Sequence, residues 1–114
     1  MSSSPAEKSE LLQGTLDMLI LKALQREPMH GFGLSARLRT MSLGVFQVEM
    51  GSIYPALCRL EARGWVKADW KTSENNRRAR FHALTPAGRK QLIEEKSRWD
   101  VLSGTINLML DHPA

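Results

Sequence analysis

A single cysteine, Cys58, among 114 residues leaves no partner for an internal disulfide, and no secretory pattern stands at the start of the chain. A reducing, cytoplasmic location is therefore expected. Long apolar runs are missing too. The longest, residues 16–24, holds Asp17 and Lys22 and is far shorter than the roughly 20 residues that cross a bilayer, so no membrane partner is expected. No glycine-rich phosphate loop, nucleophile elbow, paired-carboxylate signature or metal motif occurs. His30, His82 and His112 are scattered, with no carboxylate or cysteine at ligand spacing, so neither a metal nor another cofactor is expected. A chain of this length buries roughly two-thirds of its unfolded surface, enough for one core and too little for a multidomain enzyme.

Charge is present and unevenly placed. The chain carries 16 Lys and Arg against 12 Asp and Glu, a formal net charge of +4. Residues 31–90 alone hold +7, and the two flanks together hold −3. A basic centre between mildly acidic ends fits a nucleic-acid binder whose terminal elements have another task.

Periodicity divides the chain. Residues 1–9 are polar and rich in serine, the composition of a loose tail. Residues 10–26 repeat apolar side chains at helical spacing on nearly every face, which predicts a helix covered by its own domain and by a second chain, with Leu16 and Ile20 among the contacts. After a break at Pro28, Gly31 and Gly33, Leu34, Leu38 and Met41 mark a second helix. Residues 51–64 form a third. Ser52 is expected to cap it, Pro55 to sit in its first turn and Gly64 to end it.

The period then changes to two. Val66, Ala68 and Trp70 alternate with Lys67, Asp69 and Lys71, and beyond a polar turn Ala79, Phe81 and Ala83 alternate with Arg78, Arg80 and His82. The expected hairpin has a basic outer face, with Trp70 turned inward as a structural residue. Thr85-Pro86 opens a last helix to about residue 110, in which Leu92, Trp99 and Ile106 share one heptad position and Leu102 and Met109 another. Such a seam suits pairing between chains.

Three short helices followed by a basic hairpin predict an α+β, mainly helical protein: a winged helix-turn-helix over residues 10–84, with a C-terminal dimerisation helix over residues 85–114. The third helix would enter the major groove, where Gly51, Ser52 and Tyr54 near its start allow close approach. Lys71, Arg77, Arg78 and Arg80 would hold phosphates. Arg59 lies on the same helix and is a further candidate, although pairing with a local acid accounts for it equally well.

The segments Gly51-Ser52-Ile53-Tyr54-Pro55-Ala56-Leu57, Arg59-Leu60-Glu61, Ser73-Glu74-Asn75-Asn76-Arg77-Arg78-Ala79-Arg80 and Leu84-Thr85-Pro86-Ala87-Gly88-Arg89 closely resemble the PadR family of transcriptional regulators, as do Leu12-Gln13-Gly14-Thr15-Leu16-Asp17 and His30-Gly31-Phe32-Gly33. The resemblance implies a homodimeric repressor of the subfamily with one short C-terminal helix, binding double-stranded DNA at a pseudo-palindromic operator. It also implies that a small aromatic effector could release the DNA, with Trp99 as the stacking residue. Interface packing explains Trp99 without any ligand. The competing class is a winged-helix module that binds another protein or only dimerises, without direct DNA readout.

Overall fold

The computed structural model describes residues 12–113, so the expected tail over residues 1–9 lies outside the described residues. Four helices and a two-stranded antiparallel sheet follow in the order α1 (Gln13–Ala23), α2 (Gly31–Met41), α3 (Met50–Ala62), β1 (Val66–Thr72), β2 (Arg78–Leu84) and α4 (Pro86–Leu110). No helix among the described residues is long and apolar enough to cross a membrane.

The first three helices close around one core. Ile20, Leu21 and Leu24 from α1 and its end meet Leu34 of α2 and Ile53, Leu57 and Leu60 of α3, all almost completely buried. Val66 and Leu84 add the root of the hairpin, and Leu92 adds α4. This corrects three expected chain-to-chain contacts. Leu16, Ile20 and Leu92 are buried inside their own chain, with at most 7% of any of them left to offer a partner. The all-round apolarity of α1 is explained by helices on several sides of it within one molecule.

Helix ends show how local chemistry sets these boundaries. His30 caps α2, its Nδ1 accepting from the Gly33 N–H at 3.0 Å. At the end of α3, Gly64 takes the expected left-handed conformation (φ 76°). The Gly64 N–H then donates to Glu61 O and the Trp65 N–H to Leu60 O, both at 3.0 Å, which satisfies the last carbonyls and turns the chain into β1. Thr85 caps α4, accepting from the Gly88 N–H at 3.0 Å and donating to Gly64 O at 2.7 Å. Gly88 is required for that approach, because a Cβ there would collide with the Trp65 carbonyl.

The start of α3 differs from expectation. Glu49, not Ser52, occupies the cap position, without a side-chain hydrogen bond, and Pro55 falls inside the helix rather than in its first turn. Proline there removes one backbone hydrogen bond, so it is tolerated on the exposed side, where Pro55 lies.

The hairpin register departs further. Val66 pairs with Leu84, Ala68 with His82, Trp70 with Arg80 and Thr72 with Arg78. Residues directly opposite share a face, so Arg78, Arg80 and His82 lie on the same side as Val66 and Trp70. The expected basic outer face is thus the inner face, apolar at its root and cationic toward its tip. Met29 bridges to His82 at the edge of the sheet, with backbone hydrogen bonds of 3.0 and 2.8 Å.

Candidate nucleic-acid interface

α3 and the hairpin enclose an open cleft of about 710 Å³. Tyr54, Leu57, Cys58 and Glu61 form its helical side. Gly51, Ser52 and Pro55 are exposed on the same helix outside the cleft, because Ile53, Ala56, Leu57 and Leu60 take the inward positions. The Tyr54 ring leans over Gly31, where an added Cβ would stand 3.2 Å from the ring and 2.7 Å from Met50 Cε. Gly31 therefore gives α3 its seat on the start of α2. About half of Tyr54 stays open to solvent. Gly51 has nothing near its Cβ direction, leaving the first turn of α3 smooth and accessible.

The hairpin side carries the cations. A five-residue tip, residues 73–77, is closed by Ser73 N–H donating to Arg77 O at 2.7 Å, with Asn76 in the left-handed region at φ 58°. Asparagine adopts that conformation readily, as the double-Asn turn composition suggests. Arg77 and Arg78 are exposed, and among the described residues neither meets a carboxylate. Arg80 is engaged: its Nη2 donates to Glu61 Oε1 on α3 at 2.9 Å. Lys71 lies on the opposite face of the hairpin, its ammonium 5.9 Å from the centre of the Phe81 ring. It is free to meet phosphate only around the hairpin edge.

Two expected roles change. Arg59 makes a two-pronged pair with Asp17 of α1, Nη2 to Oδ1 at 2.7 Å and Nε to Oδ2 at 3.2 Å, which commits two of its five donors inside the protein. The hydrogen bond to Asp17 pushes its pKa up, against partial burial. Arg59 therefore joins α1 to α3 rather than facing the cleft. Trp70, expected in the core, is 61% exposed and lines the cleft with Arg78 stacked near it.

Sequence reasoning expected His82 on an outer basic face and gave Glu61 no role in the cleft. His82 is buried at 3% exposure, with Nε2 3.3 Å from Glu61 Oε2 and with Nδ1 unpartnered. Burial pushes its pKa down; Glu61 opposes that shift and Arg80 adds to it. Glu61 thus serves both Arg80 and His82. The signal that finds these partners is the register, since Trp70 opposite Arg80 places the whole even-numbered set over α3. Among the described residues no three His, Cys, Asp or Glu side chains gather as a metal site.

The far half of α4 forms a separate surface. No residue of α4 beyond Leu92 is buried, and Trp99, Leu102, Ile106 and Met109 lie exposed along one strip. Trp99 and Leu102 also line a hollow of about 260 Å³ with Leu12 and Met18 of the α1 side.

Comparison with known proteins agrees with this architecture. The model of the PadR-like family of transcriptional regulators matches residues 20–94. The chain superposes on a PadR-like transcriptional regulator from Bacillus cereus with a TM-score of 0.77 at 30% identity, covering 91% of this chain and 99% of that one. A PadR family transcriptional regulator from Eggerthella lenta gives a TM-score of 0.78, also at 30% identity, with 92% and 89% covered. A protein carried by transposon Tn4556 of Streptomyces fradiae is 38% identical over 89 residues, which make up 78% of this chain and 24% of that protein. The chain belongs to the PadR-like family of transcriptional regulators.

Proposed function

We infer that the chain is a homodimeric, sequence-specific repressor that occupies a pseudo-palindromic operator in the cytoplasm. The observation that carries this reading is the pair of exposed cations at and beside the hairpin tip, Arg77 and Arg78, which share one cleft with Tyr54 of α3. A helix in the major groove and a hairpin over the adjacent minor groove need that division: small and hydrogen-bonding groups to approach bases, cations to meet phosphates. Ser52 and Tyr54 are the side chains placed to read base edges, beside Gly51. The exposed strip of α4 supports pairing of two chains through Trp99, Leu102, Ile106 and Met109, since an uncovered apolar stripe at heptad spacing is stabilised by a partner helix. Pairing would set two copies of α3 about one helical turn, roughly 34 Å, apart.

The hollow beside Trp99 and Met18 supports release by a small aromatic effector, the indole offering a stacking face. Such a molecule shifts the dimer only by its difference in affinity between the DNA-bound and free geometries.

The test is selection of duplexes from a random pool by the pure protein, followed by a salt titration. A recovered palindrome and a steep loss of affinity with salt, about 0.9 log unit per log unit for each phosphate neutralised, are the expected results. Replacing Arg77, Arg78 and Arg80 together by alanine should weaken all sequences about equally. A flat salt response and no enriched sequence would favour a protein-binding module instead.

A further inference from the structure

The face of the hairpin turned toward α3 carries an aromatic that the described residues leave mostly open. Trp70 leaves 61% of its surface exposed, on the wall of the cleft. The hairpin's other aromatic, Phe81, is half-buried with the His30 ring against it at 5.1 Å. An indole left in water forgoes the burial that makes tryptophan favourable inside a protein, so its place in a cationic cleft calls for a surface that arrives later.

Its neighbour indicates which surface. The guanidinium of Arg78 lies 5.5 Å from the Trp70 ring centre, whereas Arg80, directly opposite Trp70 in the strand pairing, is held by Glu61. The indole holds the Arg78 guanidinium over its ring while no carboxylate among the described residues pairs with it, so its N–H groups remain available to an anion. The indole adds an apolar face and one N–H donor. A helix in the major groove and a hairpin over the next minor groove straddle one strand's backbone, and the sugar-phosphate ridge then runs through the space between them.

We propose that Trp70 and Arg78 act as one DNA-contact unit, the indole packing on the sugar-phosphate backbone in the cleft while the guanidinium binds its phosphate. This rests on the DNA-binding reading above. Backbone contacts carry no base identity, so the unit fixes where the hairpin sits and acts on every duplex alike.

The full chain with Trp65→Phe and Trp99→Phe keeps Trp70 as its one tryptophan of three. It is titrated at low salt with a random-sequence duplex of about 30 base pairs, long enough for two contacts a helical turn apart. Anisotropy of a labelled duplex reports binding, and tryptophan emission with the unlabelled duplex reports Trp70. Emission should change as the duplex binds. In the otherwise natural chain, Trp70→Ala should lower affinity about tenfold, as expected for losing a contact to a charged group. Arg78→Ala added to it should cost less than Arg78→Ala alone, because the two residues act together. Duplex binding with Trp70 emission unchanged and Trp70→Ala within about twofold of the parent overturns the unit while leaving DNA binding intact. No duplex binding by the unaltered chain at low salt overturns the reading beneath it as well.

Discussion

Glu61 on α3 and Arg80 on β2 meet across the cleft, Nη2 donating to Oε1 at 2.9 Å, while the other oxygen of the same carboxylate lies 3.3 Å from His82. One acidic side chain thus ties α3 to the hairpin through two residues of one strand face. Half of the Arg80 side chain is exposed, so the pair is screened by solvent and a phosphate can compete with it. The free protein therefore presents fewer available cations than its sequence suggests.

Glu61→Gln tests that competition. The change frees Arg80 and removes a negative charge from the cleft. Binding to a random-sequence duplex should tighten, and the slope of log affinity against log salt should steepen by about 0.9, one additional phosphate. A slope equal to the parent's would show that Arg80 stays on the protein side of the interface.

Arg59 should behave oppositely, because its charge is paired with Asp17 and it does not line the cleft. Asp17→Ala should lower stability by about 1–2 kcal/mol, between the values of exposed and fully buried pairs, since both side chains are only partly covered. Arg59→Ala should cost a similar amount, and the double variant little more than either. Duplex affinity should hold within about twofold in each, as expected for sites outside the interface. A slope in salt made shallower by Arg59→Ala would return this residue to the DNA contacts.

His82 predicts a pH response of stability. Burial lowers its folded pKa below the ordinary 6.5, so between those two values the unfolded chain binds a proton that the native one does not. Stability should therefore be fully present above about pH 6.5 and fall as the pH drops toward the lowered value. Glu61 limits the effect by favouring the charged imidazole. Urea unfolding of the parent and of His82→Gln should show a steeper decline for the parent over this window. Parallel curves would mean the imidazole titrates alike in both states.

Much of this was legible along the chain. Gly64, Thr85 and Pro86 signal their helix ends through conformations and capping bonds that depend on immediate neighbours alone, and the structure places them as those signals require. The hairpin register was not legible in that way. Alternation on each strand is visible, but whether Trp70 faces Arg80 or slips by one residue depends on the tip, and one step reverses every side chain. The observed register sets Val66 and Leu84 together at the core and leaves Trp70 outside. Burial partners were equally hidden. Leu16 and Leu102 both sit in helical repeats, yet the first is buried in the core and the second, at the edge of a hollow beside α1, stays about half exposed.

That difference yields the sharpest test of the α4 strip. Leu102→Glu with Ile106→Glu places charges where the heptad stripe is bare, and should convert dimers to monomers by light scattering with the fold of the winged domain retained. Ile20→Ala and Leu92→Ala change the inside of each chain instead, and each should cost about 2–5 kcal/mol of stability through the cavity it opens. The two classes separate by concentration. A paired chain melts at a higher temperature as protein concentration rises, whereas the Glu variants should melt at one temperature throughout. Dimers that survive both Glu substitutions would move the contact away from Leu102 and Ile106, leaving their exposure without a partner.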